Sequence, residues 1–449
     1  MGKLFGTDGV RGIANQELTC ELAYRLGRAG GFVLTKECAH QPRILVGMDT
    51  RVSGDMLEGA LVAGICSVGA QPVCCGVVPT PAVACLVRQY GLDAGVVISA
   101  SHNPVEYNGI KFFNGQGYKL ADALENEIEA LLEAGMPGVP SPTGSEVGHR
   151  VEADEALDDY VKFITDACPA KLTGLRVVLD CANGAAYEAA PLALFQLGAE
   201  VTAIHREPDG SNINQNCGST HPEDLQKAVV ELGADIGLAF DGDADRCLAV
   251  DEKGSLIDGD RIMAICGLAM KQKGRLKQDT IVGTVMSNLG FLQMGRREGI
   301  SVLQAPVGDR YVLEEMRKNG YNLGGEQSGH IIFLDYNTTG DGLLTAVMLL
   351  NVMRETGKPL SELAGVMEVL PQVLVNARVK NSRKKEFMNV PALKEAMEAT
   401  AERFAADGRV LIRPSGTEPL IRVMIEGKDL AKMEQEAHRL AALLEEYLG

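Results

Sequence analysis

RILVGMDTRVSGDMLEGALVAGICSVGAQPVCCGVVP, residues 43–79, decides the fold. After Arg43, the residues ILVGM form an apolar run of buried-strand length, Asp49 ends that run, and a stretch with helical periodicity leads to Gly69 before a second apolar run begins. Strand, turn, helix, glycine and strand in that order is the β-α-β unit of a parallel sheet. The rhythm returns twice. One copy runs from RVVLDCANGAAYEAA at Arg176 through ALFQLGA to EVTAIH, and another from TIVGTVMSNLG at Thr280 through a helix before Gly299 to SVLQAPVG. In the first two copies an Asp (Asp49, Asp180) ends the opening strand and a Gly (Gly69, Gly198) begins the closing one, so the segments read as internal repeats.

Outward from the repeats, periodicity breaks where Pro, Gly and polar residues gather. GMPGVPSPTGSEVG, residues 135–148, leads out of the first body; a hairpin at Asp251-Glu252-Lys253-Gly254 closes the second; and Met367–Pro371 precedes the alternating run VLPQVLVNARVK and the final helices. The expected division is 1–157, 158–255 and 256–368 as α/β domains, and 369–449 as a smaller α+β domain. A chain of 449 residues exceeds what one core supports, and roughly three or four domains fit that length.

Composition excludes several function classes. The chain is 46% hydrophobic and 23% charged, as in folded globular proteins, and its net charge of −17 opposes a nucleic-acid partner. An anionic ligand therefore needs a local pocket of Arg, Lys and backbone N–H groups. Eleven cysteines, none in a CxxC pair, read as core thiols of a reducing compartment and not as a disulfide or zinc framework. No apolar run approaches the roughly 18 residues of a membrane span, and no leader pattern opens the chain, so a cytoplasmic protein without membrane insertion is expected.

Four polar, Gly-marked loops follow apolar strands, where open α/β sheets place ligands. In GVVISASHNPVEYNGIKFF, residues 95–113, Asn103-Pro104 forces a turn expected to present Ser101 to solvent; a cap or turn serine is the plain alternative. In IGLAFDGDADRCLAVDEKG, residues 236–254, Asp241, Asp243 and Asp245 can converge on one hard cation, or form a solvated acidic turn. With Glu252 they match calcium-loop spacing, but Arg246 stands where such a loop requires Gly, and the flanks read as strands.

LGGEQSGHIIF, residues 323–333, carries Glu326, Ser328 and His330, a mix suited to sugar hydroxyls, on glycines that any tight loop would need. RPSGTEPLIRVMIEG, residues 413–427, sets Arg413, Ser415, Thr417 and Arg422 around Gly416 as a donor-rich nest for an oxyanion, with salt bridges to nearby acids as the alternative.

Together and in this order, the four loops resemble the α-D-phosphohexomutase superfamily across nearly the whole chain. That resemblance implies four domains around a central cleft, three related α/β units with mixed sheets and a smaller C-terminal α+β domain. It implies Ser101 as a phosphoserine and Asp241, Asp243, Asp245 and a phosphate oxygen as ligands of one Mg²⁺ per subunit. Arg246 and Arg11 steady the transferring phosphoryl, His102 lies beside it, and Lys111 acts as general acid/base. Glu326 and Ser328, with His330, hold the sugar; Arg413, Ser415, Gly416, Thr417 and Arg422 hold the distal phosphate.

FGTDGVRG at Phe5–Gly12 and GGEQSGH are similar to the branch acting on glucosamine phosphate; relatives acting on glucose or mannose phosphates, the alternative, usually differ at Gln327. The implied activity is interconversion of glucosamine 6- and 1-phosphates through a 1,6-bisphosphate, supplying UDP-N-acetylglucosamine and cell-wall synthesis. A glucosamine or glucose 1,6-bisphosphate is the implied activator, and relatives suggest a homodimer. Two other classes use the same residues, a phosphatase with Asp241 as nucleophile and a non-catalytic sugar-phosphate sensor; a stable phosphoserine separates the first, and turnover the second.

Overall fold

The computed structural model describes residues 4–6, 8–405, 408–415 and 418–449. They form two compact units, Met1–Met286 with Gly299–Val366, and Ser287–Glu298 with Met367–Gly449.

The first unit contains three sheets. One holds β1 (Val10–Ile13), β2 (Arg43–Met48), β3 (Gln71–Val77), β4 (Ala94–Ile98), β5 (Tyr107–Asn114) and β6 (Val151–Glu152), ordered β1-β5-β4-β2-β3-β6. The next holds β7 (Arg176–Asp180), β8 (Glu200–Ile204), β9 (Ile236–Phe240), β10 (Cys247–Asp251) and β11 (Leu256–Ile257), ordered β11-β10-β9-β7-β8. The last holds β12 (Thr280–Thr284), β13 (Ser301–Ala305), β14 (Leu323–Gly325) and β15 (Ile331–Phe333), ordered β13-β12-β14-β15.

One plan recurs. The β-α-β pairs β2/β3, β7/β8 and β12/β13 are parallel, a third strand (β4, β9, β14) joins the first in parallel, and a fourth (β5, β10, β15) returns antiparallel. The connection from third to fourth strand leaves the C-terminal end of a parallel strand, the edge where ligands bind. These connections are residues 99–106, 241–246 and 326–330, and they lie within three of the four loop segments picked out above. Buried runs such as IGLAF, with all five residues inside, explain why these strands read as continuous apolar segments. Around the first sheet the core comprises residues such as Leu26, Ile44, Val46, Leu61, Val96 and Phe112.

The third repeat is as read: the helix Leu289–Glu298 is the crossover between the parallel strands β12 and β13. It packs with the second unit, where Leu289 N–H donates to Glu426 at 2.9 Å and Asn288 Nδ2 donates to the Leu370 carbonyl at 2.9 Å. Its apolar face has the right period, and period does not say what the helix packs against. The remainder of the second unit is β16 (Gln372–Arg378), β17 (Arg409–Pro414) and β18 (Leu420–Glu426), antiparallel in the order β16-β18-β17. Ile421, Val423 and Ile425 of β18 pack with Leu440 and Leu444 of the final helix, Leu430–Leu448. All eleven cysteines are free, and no helix among the described residues is long and apolar enough to cross a membrane.

Candidate active site

Ser101 sits in the connection from β4 to β5 with φ at 53°, a left-handed backbone that costs a non-glycine residue about 1–3 kcal/mol unless its surroundings impose it. They do. Arg51, whose side chain is fully buried, pairs with Asp49 at 3.0 Å and donates to the carbonyls of Ser101 (3.0 Å), Asn103 (2.7 Å), Tyr107 (3.0 Å) and Pro104. Asn214 donates to the same Ser101 carbonyl at 2.9 Å. From inside, the Ser99 hydroxyl accepts the Ser101 N–H and donates to Asp49 at 2.6 Å. Ser101 is consequently 1% exposed and not presented to solvent. Asn103-Pro104 does turn the chain, but the turn is folded back onto Arg51.

The Ser101 hydroxyl donates to Asp241 Oδ2 at 2.7 Å and lies 3.3 Å from His102 Nδ1. Asp241, Asp243 and Asp245 are all buried, and one carboxylate oxygen from each lies within 4.8 Å of the others. Two like charges about 4 Å apart repel by roughly 4 kcal/mol at an effective dielectric of about 20, so compensation must be close. Lys111 Nζ and Thr80 Oγ1 each reach Asp243 Oδ2 at 2.8 Å, while Arg246 stands 3.9 Å from Asp241 and 3.8 Å from Asp245. That is not enough: the buried Oδ1 atoms of Asp243 and Asp245 have no hydrogen-bond partner among the described residues. Burial, with Asp245 and Asp243 beside it, pushes the Asp241 carboxyl well above its ordinary range. Unpaired buried carboxylate oxygens converging on one point fit a hard divalent cation.

Gly242 is required for this approach. A Cβ there would fall 2.6 Å from the Ser101 carbonyl and 2.7 Å from Asn214 Nδ2.

The acids also belong to a longer chain of alternating acidic and basic groups. It runs Asp243–Lys111 (2.8 Å), Lys111–Asp8 (3.0 Å), Asp8–Lys119 (2.5 Å), Lys119–Asp309 (2.6 Å), Asp309–His330 (3.6 Å) and His330–Asp245 (3.3 Å). It starts and ends on the same loop and draws members from all three sheets. Burial opposes the charge on Lys111, but Asp243 and Asp8 outweigh it and raise the ammonium above its ordinary value. Lys111 is therefore held as a cation by its two carboxylate neighbours. His102 goes the other way: burial first, then Arg246 and Arg11, pull it down to about 4, leaving a neutral ring beside the serine. Arg11 pairs with Asp8.

Of the hairpin between β14 and β15, Ser328 is exposed and Glu326 half-buried, its Oε1 accepting Gly308 N–H at 3.0 Å. His330, expected among the sugar contacts, is 3% exposed and lies between Asp245 and Asp309. Gln327, the residue singled out as marking the sugar, donates to Asp258 at 3.1 Å. Asp258 caps the helix Gly259–Gln272 through Arg261 N–H at 3.0 Å, so the Gln327 amide anchors the loop.

In the second unit, Arg413 of β17 stands opposite Arg422 of β18. Like charges directly opposite destabilise a sheet. Burial and then Arg422 lower Arg413 from its ordinary value. Glu418 takes one guanidinium N–H of Arg422 at 3.0 Å, Arg422 Nε has no hydrogen-bond partner among the described residues, and Ser415 Oγ accepts Glu418 N–H at 3.2 Å. Gly416 and Thr417 lie outside the described residues.

Sequence reading missed Asp49, Arg51, Asn214, Thr80, Lys119 and Asp309 as parts of these arrangements. Asp49 to Arg51 follow β2, and Asp309 follows β13 after a short connection; the strand-end criterion used for the four loops, applied to every parallel strand, points to them.

Four family models match in succession: phosphoglucomutase/phosphomannomutase alpha/beta/alpha domain I at residues 2–137, domain II at 158–254, domain III at 258–370 and the C-terminal domain at 374–443. The chain is 61% identical over 449 residues, covering 100% of both chains, to the phosphoglucosamine mutase of Acetivibrio thermocellus. Among solved structures it is similar to a phosphoglucomutase/phosphomannomutase family protein of Burkholderia thailandensis (TM-score 0.81, 27% identity, 99% of this chain and 98% of that one). The Aspergillus fumigatus N-acetylphosphoglucosamine mutase, solved with GlcNAc-6P and magnesium, shares the fold (TM-score 0.69, 17% identity, 99% and 96% covered).

Proposed function

The chain belongs to the phosphoglucomutase/phosphomannomutase family, and from that premise we propose that it interconverts glucosamine 6-phosphate and glucosamine 1-phosphate by way of a phosphorylated Ser101 and a 1,6-bisphosphate. The sugar follows the relative identical at 61% of positions along the full chain. The observation that carries the serine is its hydroxyl, 2.7 Å from Asp241 in a cluster of buried carboxylates with unpaired oxygens.

Held by Asp241, Asp243, Asp245 and a phosphoserine oxygen, one magnesium ion supplies charge neutralisation at the transferring phosphoryl. The remaining work falls to the protein. In the first half-reaction the P–O bond to Ser101 breaks as a bond to the free sugar oxygen forms; that hydroxyl loses a proton and the serine oxygen gains one. His102, neutral and 3.3 Å from Ser101 Oγ, is within reach of the serine proton. Arg246, Arg11 and Lys111 stabilise negative charge spread over the phosphoryl oxygens. The bisphosphate then turns and returns its other phosphoryl to Ser101, so the group away from the serine needs its own anion site. Arg413, Ser415, Gly416, Thr417 and Arg422 take that role, with Glu326 and Ser328 on the sugar hydroxyls. His330 acts through Asp245. A glucosamine or glucose 1,6-bisphosphate primes a serine that has lost its phosphate.

The deciding experiment is intact-mass analysis with steady-state kinetics on glucosamine, glucose and mannose phosphates. Wild type should carry one phosphate, lost on Ser101→Ala together with at least about a thousandfold of turnover, and kcat/KM should favour the amino sugar. Undiminished turnover in Ser101→Ala would sink the scheme; preference for another sugar would sink only the substrate.

A further inference from the structure

A second group of ligating side chains lies in the sheet of β7 to β11, away from Ser101. Asp180 ends β7, His205 directly follows β8, and Cys217 precedes the short turn Gly218–Thr220. β7 and β8 run parallel with Asp180 opposite Ile204, which brings Asp180 and His205 side by side. One donor atom from each of Asp180, His205 and Cys217 lies within 4.8 Å of the other two. Asp180 and Cys217 are fully buried, whereas the His205 side chain is 26% exposed and leaves an approach from solvent.

The partners of these atoms set the group apart from an ordinary buried ion pair. Backbone N–H groups of Ala182 (3.0 Å) and Gly218 (2.9 Å) fix one oxygen each of Asp180, leaving lone pairs free on both. His205 Nδ1 is buried and 3.1 Å from Asp180 Oδ2, a contact short of good hydrogen-bond geometry that nevertheless raises the ring above its ordinary value. On the opposite edge of the ring, Nε2 faces Asp224 at 3.8 Å. A cation entering between Asp180 and His205 would displace the proton on Nδ1 and leave Asp224 on the outer edge of the ring. Burial pushes the Cys217 thiol up to about 12, so it stays a thiol until a cation displaces the proton.

We propose that Asp180, His205 and Cys217 form a binding site for a borderline divalent cation of the zinc class, chemically distinct from the all-oxygen site beside Ser101. One sulfur, one nitrogen and one oxygen suit that ion, with a fourth position open. Ligands about 2.0–2.3 Å from a tetrahedral ion stand roughly 3.3–3.8 Å apart, so the group needs to contract by about 1 Å or less. Binding would tie the ends of β7 and β8 to the loop that carries Asn214, which holds the Ser101 carbonyl.

The test is a cobalt titration of the full-length protein in saturating magnesium with a non-thiol reductant. One equivalent should produce thiolate-to-cobalt charge-transfer absorption and the strong visible bands of a tetrahedral ion, both displaced by zinc. Cys217→Ser should abolish the charge-transfer band. His205→Asn, chosen because Asn tolerates the positive φ of 47° at this position, should weaken cobalt binding at least about tenfold. Weak octahedral absorption alone, as an all-oxygen site gives, overturns the proposal, and so does a thiolate band that survives Cys217→Ser. Far-ultraviolet dichroism checks the fold of both variants; should Cys217→Ser not fold, the wild-type spectrum still decides.

Discussion

Ser101 and Arg422 are both candidate phosphate contacts, and their surroundings differ in almost every respect. Ser101 is buried, its backbone held in an unfavourable conformation by Arg51 and Asn214, and its hydroxyl already bonded to Asp241. Arg422 is about one-third exposed, faces a like charge in Arg413, and is restrained by Glu418 alone among ion pairs of described residues. A covalent carrier must be fixed to within fractions of an ångström of the metal-binding acids. An anion clamp that receives either phosphate of a turning intermediate has to bind and release, and like-charged arginines are a state that phosphate improves. Geometry is fixed where bonds form, and electrostatic tension is kept where binding is reversible.

The contrast can be broken at several points. Arg51→Ala removes the cation paired with buried Asp49 and a donor from each of four carbonyls, and should destabilise the first unit by about 3–5 kcal/mol and lower kcat by about a hundredfold, measured by denaturant midpoint and initial rates. Full stability in this variant would show that the Ser101 conformation is held by something else. Arg422→Ala should leave stability within about 0.5 kcal/mol while raising KM by about 1.5–3 kcal/mol equivalent at nearly constant kcat. A fall in kcat with unchanged KM would move Arg422 into the chemistry.

Asp309→Asn keeps a hydrogen-bonding group but removes a charge from the alternating chain. It should cost roughly tenfold in kcat/KM, and a double-mutant cycle with Lys119→Met should be strongly non-additive; plain additivity would mean the two act independently. The smallest effect is acid sensitivity. His102 sits at about 4 in the folded protein against 6.5 when free, so between those values the unfolded chain takes up a proton that the folded one refuses. Stability should fall as pH drops from 6.5 toward 4, and His102→Gln should flatten part of that slope in pH-dependent unfolding curves.

Much of this was legible in the chain itself. Apolar runs ending in Asp49 and Asp180, and the glycines before the returning strands, revealed the repeats because β-α-β units write their period into local sequence. DGDAD was legible because three acids directly after a strand have few peaceful explanations. What could not be read depends on residues distant along the chain. Ser101 looked exposed because nothing local announces Asn214 or Arg51 above it. Gln327 read only as the mark of one branch, because its link to Asp258, across 69 positions, is invisible to a motif. Leu289–Glu298 was legible as the crossover between β12 and β13, but its packing with the second unit was not, because periodicity carries no address.

The alternating chain from Asp243 to Asp245 has an odd number of members, and both ends are acids on one loop. Parity then limits how the protein can drift. Replacing any single interior member by its opposite puts three like groups in a row, so tolerated changes should come in compensating pairs. Because the pairs Asp243–Lys111, Lys119–Asp309 and His330–Asp245 each join residues of different repeats, the three repeats are not interchangeable parts despite their shared plan. A chimera that borrows one sheet from a distant cousin inherits its architecture but a mismatched charge, unless the residues at Asp8, Lys119, Asp309 and His330 travel as a set.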